Sequence, residues 1–408
     1  MVMTLTYPSS DPRPLRYIRY LASKNFQVDL FSYPFDLRKE ESVSSHYEIS
    51  RHQYDLLSKI IRNLHEITPV LTRLLPIKKL KDFLITSRYL LNAYIKQIKN
   101  ESYELIVVQD ILLLPFVFKV KNHAKIIFDA REYYPAQNEE SLFFSMFEKP
   151  ERDWLCKQYL PKCDGLITVS GGLKERYDRE FGVNFTVLRS VPNYTDLKAS
   201  QVKKDQFRMV HHGAANRNRQ LEKMIEITER LDSRFTLDLY LMGETGYIEE
   251  LEQIIASTPR IRLMDPVPFD DIIPTINRYD IGLCYVEPTT FNIKHGLPNK
   301  LFQFIQAGLM VAIGPSPDMA EVVHEFECGV VADEFTVESM VERLSGITLE
   351  FVQKCKQNSQ KASSELNFEK EQRVLDTTVN SSATTPHSNS CTTSAISGDG
   401  PIATINPA

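Results

Sequence analysis

The chain has 408 residues, beyond the roughly 100–200 of a single domain, which predicts two domains. Hydrophobic residues make up 42% and charged residues 25%, so global disorder, collagen and coiled-coil arrays are excluded. The net charge of −5 argues against an obligate nucleic-acid binder, and no apolar run reaches the roughly 18 residues of a membrane span.

In chain order, Met1–Thr6 reads as a strand, and Asp11 followed by Pro12 reads as a helix start. Leu15, Ile18, Leu21 and Ala22 share one helical face, and Phe26, Val28 and Leu30 alternate as a second strand. Residues 51–100 read as helical and basic, with ten Lys/Arg against three acids. Apolar strands follow at 105–108, 125–128, 166–169 and 186–188, separated by helical patterns. Such continuous apolar runs imply a parallel sheet covered on both faces. The polar stretch 194–204 reads as a linker, after which the pattern restarts. Strands at 209–212, 235–242, 281–285, 310–313 and 329–332 alternate with helices and predict a second doubly wound sheet. The expected units are residues 1–195, 205–349, C-terminal helices over 350–375, and a Ser/Thr-rich disordered tail over 376–408.

Glycine is scarce, with 15 in all and none before Gly165, so GxGxxG and P-loop motifs are absent. Any phosphate must meet single glycines, helix N-termini, and Arg or Lys. The six cysteines, at 156, 163, 284, 328, 355 and 391, show no CxxC spacing and fit a reducing compartment. The N-terminus shows no signal-peptide apolar core, and together these predict a cytoplasmic location.

Ligands of open parallel sheets sit beyond the strand ends, which selects four segments and one further glycine. Gly213, Asn216, Arg217 and Arg219 follow a strand and precede a helix, where an anion is favoured; a tight turn with solvated arginines is the plain alternative. Pro298, Asn299, Lys300 and Gln303 form a helix start whose lysine opposes the helix dipole unless an anion is near; by charge count one exposed lysine among many is the favoured plain reading. Gly243 ends another strand of the same unit. Asp129, Arg131 and Glu132 follow a strand of the first unit and read as a site lip or as a cap plus surface pair. Asp11 and Arg13 lie in the loop after the first strand, on the same side. His211, His212 and His295 lack metal-ligand spacing and read as core or surface histidines.

Together these segments resemble the GT-B glycosyltransferases, specifically the large retaining glycosyltransferase family four, over residues 1–375. FDAREYYP (128–135) resembles the family's aromatic-Asp-Ala-His-Glu segment, with Arg131 where His is usual. DGLITVSGGLKERYDREFGV (164–183) is similar to its "ITVS" strand and helix. HHGAANRNRQLEKMIEI (211–227) resembles its donor-phosphate loop, with Arg219 at the usual basic position and Ala214 where an arginine is usual. LPNKLFQFIQAGLMVAIG (297–314) resembles its Pro-x-Lys-x-x-Glu helix, and NFEKEQRVL (367–375) its returning C-terminal helix. The family carries two glutamates eight positions apart, where this chain has His295 and Gln303.

The resemblance implies sugar transfer from a nucleotide diphosphate sugar with retained configuration, acting on a glycan or lipid-linked acceptor in cell-surface polysaccharide synthesis. It implies Arg219 and Lys300 as the catalytic pair on the leaving diphosphate, with no metal and no cofactor beyond the sugar nucleotide. Gly213, Asn216, Arg217, Gly243, His295, Pro298, Asn299 and Gln303 are then donor-binding. Asp11, Arg13, Asp129, Arg131 and Glu132 are then acceptor-binding. Two rival readings keep the fold: nucleotide-sugar epimerisation, and a non-catalytic scaffold. Residues 73–99 mix Arg73, Lys78, Lys79, Lys81 and Arg88 with Leu74, Leu75, Ile77, Leu80, Phe83 and Leu84, a pattern that fits an anionic membrane surface at the inner face as well as a solvated helix.

Overall fold

Strands without polar alternation need cover on both faces, and helices supply it in two separate layers. A computed structural model describes residues 1–9, 11–49, 67–204 and 206–383. The first sheet contains Val2–Met3 (β1), Val28–Ser32 (β2), Val43–Glu48 (β3), Leu105–Val108 (β4), Lys125–Ala130 (β5), Gly165–Thr168 (β6) and Thr186–Val187 (β7). Their spatial order is β3-β2-β1-β4-β5-β6-β7, all parallel. The second contains Phe207–Ala215 (β8), Phe235–Gly243 (β9), Ile261–Met264 (β10), Ile281–Cys284 (β11), Met310–Ile313 (β12) and Gly329–Val331 (β13). Their order is β10-β9-β8-β11-β12-β13, again parallel. The order reverses between β1 and β4 and between β8 and β11, so a crevice opens beyond each pair of strand ends.

Two strands lie outside the sequence expectation. The edge strand β3 has a polar sequence, Val-Ser-Ser-His-Tyr-Glu, and is held by its register on β2, with Leu30 opposite His46 and Phe31 opposite Tyr47. At the other sheet's edge, β10 carries Arg262, which reaches Asp238 on β9 at 2.7 Å. Edge strands have one neighbour and one wet side, which weakens their apolar signal. The first strand, Val2–Met3, is shorter than expected; beyond it the Thr4 and Thr6 hydroxyls bond each other at 2.8 Å.

The helix Asn299–Gln306 buries Leu301, Phe302, Phe304 and Ile305 against the second sheet. Gly282 on β11 makes room for it, since a Cβ there would lie 2.3 Å from the Phe304 ring. That contact fixes where the first turn of the helix, with Lys300, must sit. Truncating a buried phenylalanine such as Phe304 costs about 3–5 kcal/mol.

Helix Leu349–Ser363 packs on the second unit, and helix Phe368–Ala383 returns to the first. Phe368 N donates to Pro192 O at 2.9 Å, Arg189 pairs with Glu371 at 2.7 Å, and Tyr20 Oη donates to Asp376 at 2.8 Å. The last helix therefore continues past residue 375, correcting the expected start of a disordered tail at 376. Leu375 and Thr378 are buried and Val374 and Val379 pack on the same core, a seam at helical spacing that composition conceals. The expected helical stretch before residue 67 and the expected tail after 383 lie outside the described residues.

Candidate active site

β8 runs on to Ala215, and Gly213 near its end has φ +131, a conformation that favours glycine. Gly243, at the end of neighbouring β9, has φ +127 and sits against Ala215, whose carbonyl would be 3.3 Å from a Cβ at 243. A Cβ at 213 would lie 3.2 Å from Lys300 Nζ and 3.6 Å from Arg219 Nη1. Lys300 and Arg219, 81 positions apart, thus converge on one glycine beyond the β8/β11 reversal.

The two cations are held differently. Arg219 lies in the short helical turn Arg217–Arg219 and donates to Ala214 O at 3.3 Å. Lys300 is 8% exposed, and its Nζ lies 3.2 Å from His211 Nε2. Burial, reinforced by Arg219, lowers its ammonium pKa to about 8. Among the described residues neither cation is paired with a carboxylate. Two positive groups at a glycine turn create a local positive potential of the kind that attracts an anion.

His211 and His212 precede this turn on β8. His211 is fully buried with Nδ1 2.8 Å from Leu283 O, and burial holds its pKa well below the ordinary value. His212 is buried on the other face, 5.2 Å edge-on to Phe304, with its pKa lowered to about 3 by burial. The sequence expects both in the core or at the surface; His211 is core, yet it touches Lys300.

Of the other expected donor residues, Gln303 is 2% exposed and its buried Nε2 has no hydrogen-bond partner among the described residues. Pro298 caps the helix that Asn299 begins, beside Lys300. Asn216 caps the Arg217–Arg219 turn through Asn218 N at 3.0 Å. Arg217 is placed elsewhere: its exposed guanidinium binds Glu250 at 2.5 Å and lies 5.0 Å over Tyr247. Glu250, with Glu244 at 3.7 Å, satisfies it on the outer side of the turn.

His295 joins the two units instead of standing free. Its Nδ1 is 2.8 Å from Asp318 Oδ2, and its carbonyl accepts from Ser170 Oγ at 2.6 Å. Asp318 Oδ1 accepts from Gly172 N at 2.8 Å, at the N-terminus of helix Gly171–Phe181, where a carboxylate is favoured. Asn292 adds a second tie, accepting from Tyr133 N at 2.6 Å and donating to Tyr133 O at 3.1 Å. Arg176 lies 4.2 Å over both Tyr133 and Phe291. The pairing of Gly172 with Asp318 had no signal in the sequence, because the partners are 146 positions apart.

On the first unit, Arg13 and Asp129 lie beneath the lip, which corrects their expected place in the acceptor site. Arg13 Nε and Nη2 both reach Asp129 at 2.7 Å, and Gln109 Nε2 donates to the same carboxylate at 2.9 Å. The pair is 4% and 0% exposed and ties the helix Pro12–Ser23 to β5. Arg131 donates to Asp11, and both are partly exposed. Glu132 beside them accepts from Gln137 at 2.9 Å, and burial pushes its carboxyl up to about 7.

No protein-family model matches the chain, and no curated protein matches it in sequence. Solved structures do. Sucrose-phosphate synthase from Thermosynechococcus elongatus superposes with TM-score 0.68 at 12% identity, covering 93% of this chain and 97% of that one. Anabaena Alr3699/HepE, in complex with UDP and glucose, gives 0.64 at 12% identity over 93% and 99%. WaaG, a glycosyltransferase involved in lipopolysaccharide biosynthesis, gives 0.62 at 12% identity over 92% and 98%. The chain has the two-domain GT-B fold of these proteins.

Proposed function

We propose that this chain is a glycosyltransferase that takes a sugar from a nucleoside diphosphate sugar and places it on a glycan or lipid-linked hydroxyl with retained configuration. The observation that carries the reading is the convergence of Arg219 and Lys300 on Gly213 without a carboxylate partner. As the bond from C1 of the sugar to the diphosphate breaks, negative charge grows on the departing oxygen. Two fixed cations in a partly dry site stabilise that charge without a metal. The acceptor oxygen bonds C1 from the same face, and its proton passes to the departing diphosphate. Gln303 Nε2 fits a ribose hydroxyl, and Asp11, Arg131 and Glu132 line the acceptor side. The UDP and glucose bound by HepE support a nucleotide donor for a site on this fold.

The first unit also offers a surface for a lipid-linked acceptor. Leu74, Ile77, Phe83, Leu142, Phe143 and Met146 are all exposed. Arg73 donates to Met146 O and lies 5.9 Å over Phe147, so the two segments adjoin. Lys79, Lys81 and Lys149 flank them, which suits an anionic membrane surface. No helix among the described residues is long and apolar enough to cross a membrane.

A mass-spectrometric screen of nucleotide sugars, with wild-type protein and the Arg219→Ala/Lys300→Ala variant, tests the transfer. Donor consumption by wild type alone supports it, and no consumption of any donor sinks it. The scaffold reading is favoured by His295, whose ring is tied to Asp318; a scaffold binds no nucleoside diphosphate.

A further inference from the structure

His211 is a buried, ionisable group next to the site that the proposed chemistry leaves unused. Its two ring nitrogens have unlike partners. Leu283 O on β11 can only accept, so Nδ1, 2.8 Å away, must carry the proton. In the neutral ring Nε2 is then a lone-pair acceptor, and the atom facing it at 3.2 Å is Lys300 Nζ, a pure donor. A cationic ring would turn an N–H towards an ammonium. The tautomer is therefore set by a main-chain carbonyl, and the lysine is aimed by the tautomer.

We propose that His211 is a positioning residue that directs the Lys300 ammonium at the Gly213 turn to receive a diphosphate, deepening the function proposed above and resting on it. The choice of acceptor matters. An aspartate or glutamate at 211 would hold Lys300 equally well but would cancel its charge. A neutral imidazole orients one N–H and leaves the full positive charge for the ligand. The titratable and charged groups facing Lys300 are His211 and His212 on β8, Arg219 on the turn and Cys284 on β11. All are neutral or positive at pH 7. Burial lowers the Lys300 pKa to about 8, so diphosphate affinity should fall above that pH as the ammonium deprotonates.

Asparagine and glutamine separate the two ring nitrogens. His211→Asn keeps a donor near Leu283 O and withdraws the acceptor from Lys300. His211→Gln reaches the Nε2 position and keeps that acceptor. The probes are inorganic pyrophosphate, which reads the diphosphate site whatever the base, and UDP, both titrated calorimetrically into the full chain from pH 6.5 to 9.5. His211→Asn should weaken pyrophosphate binding about tenfold, the scale of one charge-assisted hydrogen bond. It should also move the alkaline fall in affinity to lower pH, because a lost acceptor disfavours the ammonium. His211→Gln should bind near the wild-type level. In a Lys300→Met background, His211→Asn should add no further loss. Wild-type affinity and an unshifted pH profile in His211→Asn would overturn the assignment, as would equal losses with and without Lys300. Should the asparagine variant not fold, loss of binding in a folded His211→Gln would overturn it too. Wild-type protein that binds neither probe would instead remove the diphosphate site itself, and this assignment with it.

Discussion

Lys300 links stability and function in opposite directions. The residue is 8% exposed and its ammonium has no carboxylate partner among the described residues, so the folded chain holds a cation it would be more stable without. The pKa drop from 10.5 to about 8 corresponds to roughly 3 kcal/mol, at about 1.4 kcal/mol for each tenfold. Lys300→Met keeps the stem and removes the charge. At pH 7 the variant should gain up to about 3 kcal/mol, a rise of a few degrees in melting temperature. Turnover of a nucleotide sugar should fall by roughly 10²–10³, the scale for one preorganised electrostatic group. The pH dependence has a fixed sign. Between about pH 8 and 10.5 the unfolded lysine holds a proton that the folded one has released, so wild-type stability rises with pH across that window. The variant should rise less; Lys356, also lowered to about 8 by burial, still contributes. Calorimetric melting at pH 7 and 9.5, with turnover at pH 7, checks each part. A methionine variant that melts lower than wild type, or turns over near the wild-type rate, refutes the reasoning.

His212 gives an acid-side counterpart. Its folded pKa is about 3, so from pH 6.5 downward the unfolded chain gains a proton the folded chain lacks, and stability falls with pH. Melting of His212→Leu from pH 7 to 4 should decline less steeply than wild type, and parallel curves would show a ring that is charged in the fold. Gly172→Ala would place a Cβ 2.2 Å from His295 Nδ1 and 2.8 Å from Asp318 Oδ2. The two units should part there, raising the radius of gyration in solution scattering and lowering transfer at least about tenfold while UDP binding survives. An unchanged scattering curve counts against that contact. Gln303→Glu should tighten UDP binding by about two- to tenfold and leave pyrophosphate unaffected; equal changes for both would move residue 303 from the ribose to the diphosphate.

The parallel sheets were legible because their inner strands, such as Leu105–Val108 and Met310–Ile313, are apolar without interruption. β3 and β10 were not, because edge strands are half wet and carry Ser, His and Arg. Arg219 could be singled out because it follows the end of β8, and Lys300 because it sits in the first turn of a helix, although the short helix Phe291–His295 separates it from the end of β11; parallel sheets bring such ends together. Arg13 and Asp129 misled, since a charged pair at strand ends looks the same whether it faces a ligand or itself. Only their burial distinguishes the cases. His211 gave no positional signal, because its meaning depends on Leu283 O and Lys300 Nζ, 72 and 89 positions away.

Titration calorimetry tests most directly whether Arg219 and Lys300 form a receptor for a nucleoside diphosphate. UDP, ADP and GDP would be titrated into wild-type protein and into the Arg219→Ala/Lys300→Ala variant, with circular dichroism confirming that both are folded. Wild type should bind at least one nucleotide one-to-one, and the variant should lose that binding. Wild-type protein that binds none of the three, or a variant that binds as tightly as wild type, would contradict it.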